Sequence, residues 1–273
     1  MALAVAGAGV AGLLTASAPP QEAAAQARAV PPIHRLVYVI TEADRRITEA
    51  RHRLIAECVA AQGLAYTARA ETVTGDQALA ELRPFGLEHL EGVTSTAVPP
   101  ETPAADERLA RALFGDPERR VVARGERLEV SLPAEGCQAE AENRLLGPEN
   151  RVRATEVRLR LYDGEREARE QVDDDAALRR ATAAWRSCLA GLGFDAPDPV
   201  RLLATLPPDA DVRTHPATAA DVRCKRRTGY LDVAYERLAA RQQAWLDAHP
   251  GLADEWRALR HRQAVVAAVI LAG

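Results

Sequence analysis

Two segments of this chain, residues 54–64 and 184–194, follow the same plan. In both, a cysteine on the apolar face of a helical pattern is followed five residues later by glycine and then by an apolar residue. The matching residues are Cys58, Gly63 and Leu64 in the first segment and Cys188, Gly193 and Phe194 in the second. Glycine just past the last periodic residue is typical of a helix C-terminus. The repeat therefore predicts two helices that end alike, each with a cysteine facing the interior.

Each repeated cysteine has one further cysteine downstream, Cys137 after Cys58 and Cys224 after Cys188. We therefore predict the disulfides Cys58–Cys137 and Cys188–Cys224, which divide the chain into two helical halves, each closed by one bond. Four cysteines allow three connectivities, so the nested pairings stay open at this point. An even number of cysteines fits an oxidising compartment.

The composition favours helices and argues against nucleic-acid binding. Alanine is abundant, and Phe, Tyr and Trp together make up only 4% of the 273 residues, whereas strands prefer aromatic and β-branched side chains. The formal net charge is −4, so the chain lacks the basic surplus of a nucleic-acid binder. We predict a mainly α protein with one small β-hairpin and no nucleic-acid partner.

Residues 1–30 have the pattern of a signal peptide or leader. The apolar run Ala2–Ala18 ends in Ala16-Ser17-Ala18, and Ala25-Gln26-Ala27 offers a second cleavage site. No Lys or Arg precedes Arg28, so the positively charged n-region is missing; either the true start lies upstream of Met1 or the leader is atypical. We expect a secreted or cell-envelope protein whose only membrane contact is through an uncleaved leader.

The leader also contains a glycine pattern that competes with this interpretation. Gly7-x-Gly9-x-x-Gly12 matches the dinucleotide-binding fingerprint, and Leu36–Ile40 followed by Glu42 could form the next strand and its acidic residue. A real fingerprint needs an unbroken helix after the glycines and further alternating strands and helices. Pro19-Pro20 interrupts that helix and no such units follow, so the leader is favoured and no cofactor is expected.

The rest of the chain divides into a first helical half with the hairpin, residues 31–147, and a second helical half, residues 148–273. In the first half, helices are predicted at Thr41–Gln62, Ala104–Phe114 and Cys137 to about Leu146, and strands at Arg120–Arg124 and Arg127–Leu132. In the second half, helices are predicted at Asp175–Leu192, Leu231–Ala248 and Leu252–Leu271.

Three stretches give weaker signals. Tyr66–Pro103 is interpreted as a long connection, with Arg83–Leu87 as its most structured piece, and residues 197–216 are interpreted as irregular. Residues 156–162 alternate as a strand would, but charges around them, from Glu149 to Gln171, are spaced for helix pairs. We favour a helix there.

The pattern as a whole resembles a group of uncharacterised secreted or envelope proteins of actinobacteria. The resemblance covers about residues 40 to 260 and is carried by Ala56–Tyr66, Ala112–Gly115, Gly136-Cys137 with Leu145–Gly147, Trp185–Phe194, and Ala220–Lys225 with Gly229. The resemblance implies export and the four-cysteine plan. No particular activity follows from it. The leader, which looks truncated, departs from the group's pattern.

Few residues point to catalysis or metal binding. The chain has no Cys-x-x-Cys, no histidine at ligand spacing from a cysteine, and no two histidines three to five residues apart. None of its four serines lies in Gly-x-Ser-x-Gly, and the run Asp173–Asp175 fits a solvated helix start. We therefore expect no metal site and name no catalytic residue.

The strongest local cluster of charge surrounds Cys224. Arg223, Lys225, Arg226 and Arg227 form a basic patch, which is either a solvated helix face or a site for an anionic ligand.

Three functions remain as hypotheses. The first is an exported envelope module that binds an envelope protein or a cell-wall component without catalysis. The second is an extracytoplasmic hydrolase of cell-wall glycan or peptide, built from carboxylates that only the fold would bring together. The third, supported least, is an enzyme that binds a dinucleotide at Gly7.

Overall fold

The structure, a computed structural model, describes residues 28, 30–67, 82–90 and 106–273. Within these residues the chain forms ten helices and one antiparallel hairpin. The helices are α1 (Pro32–Val37), α2 (Glu42–Ala61), α3 (Glu107–Phe114), α4 (Cys137–Leu146), α5 (Pro148–Asp173), α6 (Ala176–Ala190), α7 (Pro199–Ala204), α8 (Pro216–Thr228), α9 (Tyr230–Ala248) and α10 (Leu252–Ala272). The strands are β1 (Arg120–Arg124) and β2 (Glu129–Pro133). The predicted mainly α class is confirmed.

Helix α2 begins with a capping box formed by Thr41 and Asp44. The Thr41 hydroxyl accepts a hydrogen bond from the Asp44 amide at 3.3 Å, and the Asp44 carboxylate accepts one from the Thr41 amide at 2.7 Å. These two bonds satisfy amide groups that would otherwise have no partner in the first turn.

The two cysteine-bearing helices end with the same geometry. After α2, Gly63 has φ +72°, and the Leu64 amide donates to Val59 O at 3.2 Å. After α6, Gly193 has φ +84°, and the Phe194 amide donates to Leu189 O, also at 3.2 Å. Glycine adopts this left-handed conformation at little cost, and the long backbone bond satisfies a free carbonyl of the last turn. The repeat seen in the sequence is therefore a repeat of helix termination.

Both predicted disulfides are present. Cys58 of α2 joins Cys137 at the start of α4, with their Cα atoms 5.6 Å apart. Cys188 of α6 joins Cys224 of α8, with a Cα separation of 5.7 Å. The nested pairings are therefore excluded, and each half is closed by its own bond.

Residues 156–162 are helical, within the central helix α5. Pro148 occupies the first turn, where its missing amide hydrogen is harmless. Val157 and Leu161 are completely buried, one turn apart on the inner face. Further along, Gly164 lets the indole of Trp245 lie directly against the helix backbone. A buried inner face and this close contact stabilise a helix in a stretch that also alternates like a strand.

The hairpin packs against α5 through its turn. Its register pairs Arg120 with Pro133 and Arg124 with Glu129, so the second strand begins two residues later than predicted. The Glu126 amide in the turn donates to the buried Asp163 carboxylate of α5 at 2.7 Å.

The two disulfide-closed halves share a packed interior. Helix α10 lies against α2 and α4, and its Ala267, completely buried, belongs to the core around Cys137. A second core surrounds Trp185, between α6, α8 and α9. A third core is formed by α1, α5, α9, α10 and the end of α4; its buried members are Ile33, Leu146, Val157, Leu161, Trp245, Leu252, Trp256 and Leu259.

Several weaker predictions can now be compared with the structure. Residues 32–37 form helix α1, which does not fit the strand that the dinucleotide alternative needs at Leu36–Ile40. The stretch 197–216 contains α7, a short helix that was not predicted. Phe85 and Leu87, in the most structured piece of the long connection, are buried. Apart from residues 28 and 30, the leader lies outside the described residues, and so does its glycine pattern.

Candidate functional site

Lys225 does not belong to the surface patch that the sequence predicts. Its side chain has no exposed area, and its Nζ donates to Leu87 O at 2.6 Å and to the Asp221 carboxylate at 2.9 Å. Asp221 also accepts a hydrogen bond from Trp185 Nε1 at 3.0 Å. The spacing of Asp221 and Lys225, four residues apart on α8, was the available signal for this ion pair.

The buried ion pair of Asp221 and Lys225 attaches part of the long connection, residues 82–90, to helix α8. Burial raises the pKa of Asp221 and lowers the pKa of Lys225, while the charge of each partner opposes the shift of the other. Each group makes two hydrogen bonds inside the protein, and such bonds are what allow a buried ion pair to persist. The pair therefore fastens residues 82–90 to α8, and neither group is available to a ligand.

The other three members of the predicted patch are exposed. Arg223, Arg226 and Arg227 lie on the outer face of α8, close to its C-terminus. Positive charge is favourable there because the helix dipole is negative at that end. This stabilises the helix end without any ligand, so anion binding at the three arginines stays a prediction.

A different group of residues lines a cavity of about 330 Å³ between α1, α5, α9 and residues 82–90. We call it the His34 cavity. Its described lining residues are His34, Leu82, Pro84, Glu165, Arg166, Arg169, Glu170 and Leu238. Its volume lies at the lower end of the range for small-molecule sites.

The start of α1 positions His34 in this cavity. Pro31 and Pro32 begin the helix, and the Ile33 amide in its first turn donates to the buried Gln242 side chain of α9 at 2.9 Å. This bond holds α1 against α9. His34 then points inward, with 3% of its side chain exposed.

His34 Nε2 is a buried polar atom with no hydrogen-bond partner. It lies 3.2 Å from Glu165 Oε1, close enough for an ion pair but without the alignment of a hydrogen bond. The second oxygen, Glu165 Oε2, accepts a hydrogen bond from the Tyr38 hydroxyl at 2.6 Å. Native proteins rarely leave a buried polar atom unpaired, since that costs about 1–3 kcal/mol. His34 borders the cavity, but Nε2 itself is buried, so a ligand that bonds to it must displace part of the cavity wall.

The Tyr38 hydroxyl keeps its proton and fixes the Glu165 carboxylate. Burial raises the pKa of Tyr38, and the hydrogen bond to Glu165 raises it further. Tyr38 is therefore a permanent donor to Oε2, which leaves Oε1 directed toward His34.

The charges at the rim of the cavity are paired within the protein. Arg169 donates from Nε to Pro84 O at 3.1 Å, and its guanidinium lies 4.8 Å from the centre of the Phe85 ring. Arg166 lies 3.9 Å from Glu170. The rim of the cavity therefore consists of charged side chains that already have partners in the protein, and the walls inside it are apolar.

A larger groove between α1, α9 and α10, of about 670 Å³, is a weaker candidate. Its polar groups have partners in the protein: Arg257 pairs with Asp254 at 2.7 Å, and the His249 ring stacks on Trp245 and contacts Trp245 O through Nδ1 at 2.8 Å. We find no comparable unpaired group there among the described residues.

Three kinds of feature are not found among the described residues. In the ranges that the structure covers, no group of three or more His, Cys, Asp or Glu side chains could hold a metal ion. No Ser, Thr or Cys is among the described residues that line the His34 cavity. Within the same ranges, no helix combines the length and apolar character needed to cross a membrane.

Comparison of the chain with protein-family models, with curated proteins and with solved structures finds no match.

The sequence did not single out His34 or Glu165 as functional. His34 is one of six histidines scattered through the sequence, and Glu165 lies among the charges between Glu149 and Gln171 that are spaced for helix pairs. The available signal was the proline pair at 31–32, because proline at the first helical position marks a helix start and would have placed His34 in the first turn.

Proposed function

We propose that this chain is an exported cell-envelope protein that binds a small ligand in the His34 cavity and does not change it chemically. The disulfides Cys58–Cys137 and Cys188–Cys224 support an oxidising environment. The leader-like composition of residues 1–30 supports export.

The observation that carries the proposal is the unpaired His34 Nε2 beside Glu165 Oε1. In the tautomer with Nε2 unprotonated, both atoms are acceptors. A separation of 3.2 Å allows one ammonium or amide nitrogen to donate to both. The ligand we propose is therefore a cell-wall component with a primary amine, such as a wall peptide, and a short apolar portion that lies against Leu238.

One observation favours the hydrolase alternative. A histidine beside a carboxylate is the arrangement of a general base and its orienting group. Such a base would have to activate a water molecule, since no hydroxyl or thiol nucleophile lines the described part of the cavity.

One experiment separates binding from hydrolysis. The purified protein is titrated with soluble muropeptides that carry a free amine, and the heat of binding is measured by calorimetry. The masses of the muropeptides are then determined by mass spectrometry. We expect binding with unchanged masses. Cleaved products would replace the proposal with the hydrolase, and an absence of binding would overturn the wall-peptide ligand.

Two variants on α5 locate the site. Glu165→Gln removes the negative charge from the cavity and keeps the side-chain shape, so we expect binding about tenfold weaker or more, the range for a lost charged hydrogen bond. Glu156→Gln makes the same change about two and a half turns away on α5, at a residue that does not line the cavity, and should bind like the unmodified protein. Equal binding by both variants would show that the ligand lies elsewhere.

A further inference from the structure

The two disulfides lie in different surroundings. Cys58 and Cys137 both line a cavity of about 530 Å³ between α2 and α4. Cys188 and Cys224 belong to the core around Trp185, where Cys188 is 6% exposed and Cys224 is completely buried. Access to the sulfur atoms controls the rate of thiol–disulfide exchange. A small thiol can therefore reach the first bond while the second is covered.

The first bond is also asymmetric, and the structure favours Cys137 as the leaving thiolate. Cys137 is the first residue of α4, at the positive end of the helix dipole, a position that lowers the pKa of a thiol. The side-chain amide of Gln62 donates to Cys137 Sγ at 3.3 Å and, at the longer distance of 3.8 Å, to Cys58 Sγ. Both contacts stabilise negative charge on Cys137, and a leaving thiol of lower pKa departs faster.

The opposite sulfur is the one exposed to attack. Cys137 is completely buried, whereas Cys58 is half-buried and lies on the same cavity wall. The Glu140 carboxylate, 3.5 Å from Cys58 Sγ, repels an anionic thiolate. Arg144 lines the same cavity with positive charge.

We propose that Cys58–Cys137 is a thiol-exchange site for a dithiol protein or a small thiol, and that Cys188–Cys224 is purely structural. The attacking thiolate forms a mixed disulfide with Cys58 Sγ, and the Cys58–Cys137 bond breaks to release the Cys137 thiolate. A second thiolate from the same dithiol then attacks the mixed disulfide and releases the Cys58 thiolate. The partner is oxidised to its disulfide, and this chain gains two electrons as two thiolates.

The test uses glutathione, a monothiol, on the folded full chain without denaturant. Samples are quenched at intervals with acid, free thiols are alkylated, and peptides are analysed by mass spectrometry. We expect glutathione on Cys58 and an alkylated Cys137, with Cys188–Cys224 intact. Glutathione mainly on Cys137, equal rates at both disulfides, or no reaction before unfolding would each overturn the proposal.

Two single variants should change the exchange rate in opposite directions. Gln62→Ala removes the hydrogen bond to the leaving sulfur, and we expect exchange about three- to tenfold slower, the range for one lost hydrogen bond. Glu140→Gln removes the repulsion near Cys58, and we expect faster exchange. Both residues line the cavity. The exchange rates are compared only for variants whose far-UV circular dichroism spectrum matches that of the unmodified protein. A change of the same sign in both variants would show that they act through local unfolding and would refute the assigned roles.

Discussion

The most discriminating prediction concerns Gly164, in the interior of helix α5. Replacing glycine by alanine in a helix normally stabilises a protein by about 1 kcal/mol, because alanine has the higher helix propensity and fewer unfolded conformations. At Gly164 we predict the opposite sign. A Cβ atom there would lie 2.5 Å from two ring carbons of Trp245.

The size of the effect follows from that distance. The contact is roughly 1 Å shorter than the 3.5–4.0 Å optimum between carbon atoms. Trp245 is held in place, because its Nε1 donates to Glu167 at 3.1 Å and its ring stacks on His249 with a centroid distance of 3.9 Å. Inserting a methyl group into a packed core costs about 1–3 kcal/mol, and this overlap belongs at the upper end. After the helix-propensity gain, the net loss is about 2 kcal/mol.

Urea unfolding followed by circular dichroism measures this loss, and a thermal scan should show a midpoint lower by about 4–8 °C. Gly191→Ala is the matched control. Gly191 has φ −62°, and a Cβ there would come no closer than 3.4 Å to a neighbouring atom, Cys188 O. We expect this control to gain about 0.4–1 kcal/mol. A Gly164→Ala protein as stable as the unmodified one would refute the close packing of Trp245 on α5.

Two further predictions concern buried and half-buried charges. Lys225→Met should lower the free energy of unfolding in urea by about 3–5 kcal/mol, because it leaves the Asp221 charge buried without its partner. Adding Asp221→Leu to this variant should recover part of the loss. A cost of the single variant below about 1 kcal/mol would contradict the buried ion pair. For Asp44, burial raises the pKa, but hydrogen bonds from Thr41 and Arg260 outweigh it and hold the pKa below its ordinary value. Its contribution is therefore full above the unfolded-state pKa of about 3.9 and lost as the pH falls through the lower folded-state pKa. The stability deficit of Asp44→Asn, measured by urea unfolding, should be constant from about pH 5 to 7 and shrink in acid; a deficit that grows in acid would reverse the sign of this argument.

The helices and the cysteine pairing could be predicted because their signals are local. The capping residues Thr41 and Asp44, the glycine after each cysteine helix, and the apolar periodicity all act within a few residues. The choice of helix at residues 156–162 was also correct. Its deciding interactions, the buried face and the contact with Trp245, were not visible in the sequence.

The candidate site could not be predicted because its properties depend on distant partners. The sequence places Lys225 in a basic surface patch. In the structure, the backbone oxygen of Leu87, 138 residues earlier in the chain, accepts a hydrogen bond from Lys225 inside the protein. His34 depends in the same way on Glu165, which lies on another helix. A sequence pattern reports which residue types are present. It does not report which of them will be removed from water.

The packing of α10 on α2 has a consequence for the order of folding. Ala267 of α10 is part of the core around Cys137, so this core is complete only after α10 has packed against α2 and α4. Contacts between residues so far apart in sequence are slow to form. Until then, the apolar faces of α2 and α4 stay open to other chains, as in other proteins that fold through late long-range contacts. A disulfide between Cys58 and Cys137 that formed before this core would hold α2 and α4 together until α10 packs.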